Sequence, residues 1–131
     1  MEKLFEDTFL SISLDPEGWL HADWTGYQAV GTVQEGCERI LSLMSEHGLQ
    51  AVLNDNTNVV GIWSGASEWV AVDWFPRMND AGLRCFAWVY SPTRFSRVST
   101  DETLSFVDPD AVGVRVFLNV DDAKRWLRDC G

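Results

Sequence analysis

Hydrophobic and polar residues alternate along the first part of the chain. Residues 4–14 alternate loosely and end at Asp15-Pro16-Glu17-Gly18, a turn signature that separates them from residues 19–24. A two-residue period is that of a β-strand with one buried face, and a connection this short joins strands that pair antiparallel. The pattern therefore predicts that the chain begins with a β-hairpin.

The period then changes to that of a helix. Thr32-Val33-Gln34-Glu35 matches the capping box, in which the threonine and glutamate side chains satisfy free backbone amides at a helix N-terminus. The stretch that follows has one apolar face, and Gly48 suits the position just past a helix C-terminus. These signals predict a helix from about residue 32 to the residue before this glycine.

A short apolar run at residues 51–53 gives way to the polar residues 54–58. The apolar run predicts a buried strand, and the polar residues predict a loop after it. Residues 65–75 have helix-compatible spacing, with Ser64 as the N-cap. Because Pro76 cannot donate a backbone hydrogen bond, we expect the helix to break there, and a second short helix, capped by Asp73, to start near Pro76 and end at Gly82.

The strongest strand signal is the nearly continuous apolar stretch 83–90, which should lie in the centre of a sheet. Ser91 then precedes a proline, which is typical of a helix start and predicts a helix over roughly residues 92–106. Residues 112–118 alternate as a further strand. Asn119 is the expected N-cap of a last helix with one apolar face.

These elements run in the order β-β-α-β-α-β-α-β-α. The length of 131 residues, 46% of them hydrophobic, suits a single domain over residues 1–131. Strands connected by helices pair in parallel through right-handed crossovers. The predicted fold class is therefore α/β, with a mixed sheet in which an N-terminal antiparallel hairpin precedes parallel strands.

The chain is strongly acidic, with 20 acidic and 10 basic residues and a net charge of −10. Nucleic acid and anionic membrane surfaces bind basic faces, so both are unfavourable partners. No apolar run approaches the roughly 20 residues that span a bilayer, and the acidic N-terminus lacks the basic start of a secretory signal. We expect no nucleic acid partner, no membrane insertion and a cytoplasmic location.

The cysteines and histidines give no sign of a metal site. Cys37, Cys85 and Cys130 are an odd number without a CxxC pair, which favours a reducing compartment. His21 and His47 lie far along the chain from any cysteine pair, so zinc is not expected. The polar residues 54–58 lack the downstream glycine and glutamate of a calcium loop. No metal and no cofactor is predicted.

Several stretches of the sequence resemble a known fold. They are Trp24-Thr25-Gly26-Tyr27-Gln28, Glu35-Gly36-Cys37, Leu53-Asn54-Asp55-Asn56, Trp69 with Asp73-Trp74-Phe75-Pro76-Arg77-Met78, Phe86-Ala87-Trp88-Val89-Tyr90-Ser91-Pro92, and Ala123 with Trp126-Leu127. With the element order, they make the chain resemble the SpoIIAA-like fold of STAS domains and CRAL-TRIO domains, in particular small stand-alone bacterial STAS-like proteins. This resemblance implies either a phosphorylation-dependent partner switch or a small-ligand or lipid site.

The chain departs from the STAS pattern at the position of the phosphorylated serine. In a STAS partner switch that serine directly follows an aspartate after the central strand, whereas here Asp55 is followed by Asn56. The displaced candidates for phosphorylation are Thr57 and Ser64. A phosphoryl group on Ser64 would lie near a predicted helix N-terminus, which favours an anion.

Tryptophan is in excess, with seven in 131 residues, and Trp63, Trp69 and Trp74 crowd into one segment. A small domain can hardly bury all of its aromatic side chains, so some are expected to form a patch for a partner or an apolar ligand. We predict a self-association surface with Trp63 and Trp74 as exposed anchors, because tryptophan is enriched at interface hot spots.

A cluster of carboxylates is the remaining candidate chemistry. His21 shares a strand face with Asp23, and a site for acid–base catalysis would require Asp55 to converge with Glu68 or Asp73. With 20 acidic residues in the chain, such a set also arises by chance.

Three hypotheses for function follow, in this order. The first is a non-enzymatic STAS-like domain that acts through protein contacts with a partner or with itself as a homodimer. The second is a binding module for a small apolar or lipid ligand, and the third is a carboxylate-based enzyme. The candidate binding residues are Asn54, Asp55, Asn56, Trp63, Ser64, Trp69 and Trp74.

Overall fold

The structure is a computed structural model that describes residues 1–108 and 113–130. These residues form one six-stranded sheet whose strands lie side by side in chain order. The strands are β1 (Glu2–Glu6), β2 (Leu10–Leu14), β3 (Leu20–Tyr27), β4 (Ala51–Val60), β5 (Cys85–Val89) and β6 (Val114–Phe117). The pairs β1–β2 and β2–β3 are antiparallel, and the pairs from β3 to β6 are parallel.

Helices connect the parallel strands and follow the last one. They are α1 (Val30–Glu46), α2 (Ser67–Trp69), α3 (Phe75–Asp80), α4 (Arg94–Ser105) and α5 (Val120–Arg128). A 3-10 turn over Ser64–Ala66 and a π-helical turn over Val70–Trp74 join α2 and α3 into one continuous helical segment, residues 64–80. The predicted fold class, a mixed sheet with an antiparallel start and helical crossovers, is confirmed.

The N-terminus contains one strand more than the pattern predicted. The stretch 4–14 divides into β1 and β2 at a turn, where Asp7 Oδ1 accepts hydrogen bonds from the amides of Phe9 and Leu10. An aspartate that bonds the backbone ahead of it favours such a turn. The chain therefore begins with a three-stranded antiparallel meander, and the loose alternation marked the turn between its first two strands.

The predicted loop at residues 54–58 was wrong, because β4 continues to Val60. Asn54 and Asp55 pair in register with Ala22 and Asp23 of β3. Asn54 and Asp55 remain in the strand because their side chains find partners on β3, and Asn56 bonds to Asn54 within the strand. Such partners offset the cost of burying polar groups.

Pro76 changes the hydrogen bonding of the helical segment but does not end it. The π-helical turn directly precedes α3, and the proline lies in the first turn of that helix. A proline in a first turn removes no required hydrogen bond. The backbone at Trp74 and Phe75 stays in the right-handed helical region, so the predicted break was wrong, whereas the short helix predicted from about Pro76 is present as α3.

Other predicted boundaries shift by a few residues. Thr32 does cap α1, but as the third residue of the helix, where its Oγ1 accepts a hydrogen bond from the Ala29 amide. Asn119 Oδ1 accepts from the Asp122 amide and caps α5 as expected. The predicted strand 112–118 is present as β6, while its first residue, Val112, lies outside the described residues.

The sheet separates two hydrophobic clusters. The larger one lies between the sheet and the helices α1 and α3 with their neighbouring turns, and the smaller one lies between the sheet and α5. Successive residues of β4 point to opposite faces, so Val52 belongs to the larger cluster and Leu53 to the smaller. Side chains on the two faces of β4 therefore lie in two different hydrophobic clusters.

Cys85 and Cys130 form a disulfide, with their Cα atoms 6.1 Å apart, and Cys37 is free and buried. The argument for a reducing compartment assumed unpaired cysteines, so it loses its basis, and the location of the protein stays a prediction. Among the described residues, no helix is long and apolar enough to cross a membrane.

Candidate functional site

Four of the predicted binding residues line one cavity on the α1 side of the sheet. Asn54 and Asn56 reach it from β4, Trp63 from the chain after β4, and Trp74 from the helical segment 64–80. The remaining lining residues are Trp24, Gln28, Val33, Cys37, Val59, Val70, Phe86 and Trp88. The cavity volume is about 30 Å³, which is room for one or two water molecules. It does not favour the lipid ligand of the second hypothesis.

A chain of hydrogen bonds orders the polar side of this cavity. Trp24 Nε1 donates to Asn54 Oδ1 over 2.8 Å, and Asn54 Nδ2 donates to Asn56 Oδ1 over 3.3 Å. Both asparagines are buried. Because an unpaired amide in such a place would be costly, these bonds explain how two asparagines occupy the core.

Trp63 and Trp74 were predicted as exposed anchors, and this was wrong. Trp63 is 7% exposed and stacks on Trp88 with ring centroids 6.0 Å apart. Trp74 is 1% exposed, and its Nε1 donates to the backbone oxygen of Cys37 over 2.8 Å. The indole of Trp74 can be buried because its polar atom has an acceptor inside the core.

Trp69 lies apart from the cavity and is half-buried against the larger hydrophobic cluster. It borders an open groove of about 530 Å³ between the first strands and α1, together with Phe5 and Glu35. The guanidinium carbon of Arg77 lies 5.8 Å from the centre of the Trp69 ring. The ring of Trp69 is therefore already covered in part by a cation of the same chain.

Asp55 faces the opposite side of the sheet from Asn54 and Asn56. Its Oδ2 lies 3.3 Å from His21 Nε2, and its Oδ1 accepts hydrogen bonds from the amide (3.0 Å) and hydroxyl (2.5 Å) of Thr57. Burial raises the pKa of this carboxyl, but the hydrogen bonds from His21 and Thr57 outweigh burial and hold the pKa below its usual value.

Asp23 lies directly opposite Asp55 on the neighbouring strand. Burial, and after it the charge of Asp55, raises the pKa of Asp23. His21 Nδ1 and Asp23 Oδ1 are buried and have no hydrogen-bond partner among the described residues. The cluster His21–Asp23–Asp55 therefore holds two carboxyls whose pKa values move in opposite directions.

The carboxylate site required by the third hypothesis does not form. Glu68 is exposed, and Asp73 forms an ion pair with Arg77 over 2.8 Å. Both belong to the helical segment 64–80 on the α1 side of the sheet, whereas Asp55 faces the α5 side. Across residues 1–108 and 113–130, no group of three or more His, Cys, Asp or Glu side chains is arranged to hold a metal ion.

The two predicted phosphorylation positions differ in their surroundings. Thr57 is exposed, and its hydroxyl donates to Asp55. Ser64 is half-buried at the start of the helical segment, and its Oγ lies 3.1 Å from Ser99 Oγ on α4. Ser99 Oγ also accepts a hydrogen bond from the Trp63 amide over 2.8 Å, so Ser64 belongs to the junction between the segment and α4.

Sequence reasoning missed an apolar surface at the carboxyl ends of β3 and β4. We name it the Gly61 surface, and it consists of Tyr27, Val60, Ile62 and Phe95. Tyr27, Ile62 and Phe95 are 76%, 55% and 69% exposed. Tyr27 lay inside one of the resembling stretches, but without strand boundaries nothing marked it as exposed.

Gly61 contacts residues from two of the elements that contribute to this surface. Its φ of +79° favours glycine, and a Cβ there would lie 2.9 Å from Tyr27 Cδ1, so the tyrosine ring packs directly on the glycine. The backbone oxygen of Gly61 accepts a hydrogen bond from Ser96 Oγ, the residue next to Phe95. Residues from β3, β4 and α4 thus meet at one place.

One of three comparisons with known proteins found a match, and it agrees with this architecture. The sequence matches no protein-family model and no curated protein. The fold is similar to that of a solved structure, the anti-sigma factor antagonist SpoIIAA in its unphosphorylated form. The chain has the SpoIIAA-like fold. The match has a TM-score of 0.62 at 10% sequence identity and covers 92% of this chain and 98% of the SpoIIAA chain.

This match confirms the resemblance stated from the sequence at the level of the fold. The match extends over nearly the whole chain and shows the fold alone. At 10% identity, the role of each residue must be argued from its own surroundings.

Proposed function

We propose that this chain is a protein-interaction domain that binds its partner through the Gly61 surface. One support is the fold: SpoIIAA is an anti-sigma factor antagonist, so its role is exercised on another protein. The observation that carries the proposal is the exposure of Tyr27, Ile62 and Phe95 at the carboxyl ends of β3 and β4. Tyr27 packs on Gly61, Ile62 follows Gly61 in the chain, and Phe95 precedes Ser96, which bonds to Gly61.

Large apolar side chains grouped on a surface favour contact with another molecule. Tyrosine and phenylalanine are enriched in protein interfaces because a rigid ring covers much area at little entropic cost. The acidic charge of the chain keeps nucleic acid and anionic membranes unfavourable as occupants. A protein partner, including a second copy of this chain, is the occupant that this chemistry supports.

Ser64 is the position through which phosphorylation would control this contact. It lies two residues after Ile62 and bonds to Ser99, so a phosphoryl group there would disturb the junction beside the Gly61 surface. Thr57 suits the role less well, because a phosphoryl group on it would repel the neighbouring carboxylate of Asp55.

Charge substitution within the surface tests the proposal. Ile62→Asp and Phe95→Asp are expected to weaken partner binding or self-association by at least about tenfold, because each places a charge in an apolar contact. Phe106→Asp is the matched control, since Phe106 is 44% exposed at the opposite end of α4 from Phe95. Circular dichroism should show that all three variants stay folded.

The measurements are sedimentation velocity over a wide concentration range and affinity capture with identification by mass spectrometry. Loss of the complex in Ile62→Asp and Phe95→Asp, with Phe106→Asp unchanged, would support the Gly61 surface. Two results together would overturn the proposal. The first is that the original chain sediments as a monomer at every concentration, and the second is that it captures no protein whose binding is weakened by Ile62→Asp or Phe95→Asp.

A further inference from the structure

The Cys85–Cys130 disulfide connects the sheet to the end of the chain. Cys85 is the first residue of β5, and Cys130 lies two residues after the end of α5. Both cysteines are partly exposed, in contrast to Cys37, which is buried. Part of each bridging cysteine therefore lies at the surface, and access is one of the factors that control disulfide exchange.

The disulfide tethers α5, a helix whose stability depends on packing against the sheet. With nine residues, α5 is too short to be a stable helix in isolation. Its Ala123 and Leu127 are buried in the smaller hydrophobic cluster against Leu53 and Val89. Within the described part of the chain, α5 is the helix that covers this face of the sheet.

The other tether at this end of α5 is weaker. Arg128 Nε donates to Glu17 Oε1 over 2.8 Å, but both side chains are about half exposed, and an exposed ion pair stabilises little. The disulfide closes a loop between positions 45 residues apart, and closing a loop of that length removes much of the freedom of the open chain. The docked state of α5 therefore depends mainly on the disulfide and on apolar packing.

The third cysteine cannot exchange with the bridge. Cys37 lies on α1, on the other side of the sheet, within the larger hydrophobic cluster. Burial raises the pKa of its thiol well above the usual range, which disfavours the reactive thiolate there. The bridge is consequently opened by an external thiol and not by rearrangement within the chain.

We propose that Cys85–Cys130 is a thiol–disulfide exchange site at which an external dithiol controls the docking of α5. A thiolate of the dithiol attacks one sulfur of the bridge, forms a mixed disulfide and releases the other cysteine as a thiolate, which takes up a proton. The second thiol of the dithiol then displaces the remaining cysteine. Two electrons and two protons pass to the protein, and the dithiol becomes a disulfide.

Among the described residues, the contacts that hold α5 on the sheet after reduction are its apolar packing and the ion pair between Arg128 and Glu17. The helix then opens from the sheet more often and uncovers the side chains of Leu53 and Val89. Reoxidation closes it again. This thiol–disulfide exchange acts on the face of the sheet opposite the cavity. The proposal does not depend on the Gly61 surface.

Amide hydrogen exchange of the full chain tests this proposal. In the presence of dithiothreitol, the amides of α5 are expected to exchange at least about tenfold faster than in the oxidised protein, while those of α1 change little. Cys130→Ser should show the fast exchange without reductant. Cys37→Ala is the control, and its α5 should respond to dithiothreitol as in the original chain.

Three results would overturn the proposal. The first is equal protection of α5 in the oxidised and reduced protein. The second is an equal acceleration in α1 and α5, which would make the bridge a staple of the whole fold. The third is the detection of three reactive thiols in the protein denatured without reductant, which would mean that the bridge does not form.

Discussion

Asp23 and Asp55 lie opposite each other on two neighbouring parallel strands, and their pKa values move in opposite directions. Burial and the adjacent charge of Asp55 raise the pKa of Asp23. The hydrogen bonds from His21 and Thr57 to Asp55 overcome its burial and lower its pKa. One carboxyl is thus stabilised as an anion, while the other is penalised when it ionises.

Replacing Asp55 should destabilise the protein at neutral pH. Asp55→Asn removes the charged acceptor of the hydrogen bonds from His21 and Thr57, so the free energy of unfolding at pH 7 should fall by about 1–3 kcal/mol. Urea denaturation followed by tryptophan fluorescence measures this change. Asp80→Asn, at an exposed position, is the control and should stay within about 0.5 kcal/mol of the original chain.

The pH dependence of the Asp55→Asn effect has a defined sign. Because the folded-state pKa of Asp55 lies below its unfolded value, its contribution is complete above about pH 4 and is lost as the pH falls through the folded-state pKa. The loss of stability in Asp55→Asn should therefore shrink in acid. A loss of the same size at pH 7 and at pH 2.5 would contradict this assignment.

Replacing Asp23 should change the free energy of unfolding in the opposite direction from replacing Asp55. Its folded-state pKa is raised, so this carboxyl favours folding while protonated and opposes it increasingly as the pH rises through that pKa. At pH 7, Asp23→Asn is expected to leave the free energy of unfolding unchanged or to raise it by up to about 1 kcal/mol, by removing like charges that lie directly opposite. A clear destabilisation at pH 7 would show that Asp23 is held by contacts that require its charge.

Two glycines of α1 provide a matched test of core packing. A Cβ at Gly36 would lie 2.7 Å from Trp24 Cζ3 and 2.9 Å from Leu10 Cδ2, whereas a Cβ at Gly31 would meet nothing within 4 Å. Gly36→Ala should lower the free energy of unfolding by about 1–3 kcal/mol, because the strand and the helix must move apart. Thermal unfolding measures this change.

Gly31→Ala serves as the comparison in the same helix. Alanine has a higher helix propensity than glycine, so this variant should be as stable as the original chain or more stable by up to about 1 kcal/mol. Equal effects at the two positions would show that α1 does not approach Trp24 as closely as described.

The hydrogen bond between Trp24 Nε1 and Asn54 Oδ1 can be measured with a double-mutant cycle. Trp24→Phe removes the donor and Asn54→Leu removes the acceptor, and each alone leaves a buried polar group unpaired. Each single change should cost about 1–3 kcal/mol, and the double variant should cost less than the sum by about 0.5–3 kcal/mol. Additive effects would mean that the two groups do not bond.

Much of the fold could be predicted from local patterns. The capping signals at Thr32 and Asn119, the apolar face of α1 and the continuous apolar stretch of β5 each correspond to an observed element. These signals depend on residues within a few positions of one another. They could therefore be interpreted without knowing which distant segments meet.

The candidate site was only partly predictable. Asn54, Asn56, Trp63 and Trp74 do meet at one cavity, but the polar run was expected to form a loop and the two tryptophans were expected at the surface. Some of the partners that keep them inside are distant in the chain: Trp24 bonds to Asn54 across 30 positions, and the backbone oxygen of Cys37 accepts from Trp74 across 37 positions. The composition of one segment does not show which distant residues that segment will contact.

The sequence by itself determined the kinds of element, most of their order and the acidic character of the chain, because each follows from residue spacing and composition. The tertiary structure decided the pairing of Asp23 with Asp55, the bridge between Cys85 and Cys130, and the grouping of Tyr27, Ile62 and Phe95 around Gly61. Each of these depends on which strands become neighbours. That choice is made by burial of the whole apolar surface and not by the pattern in any one segment.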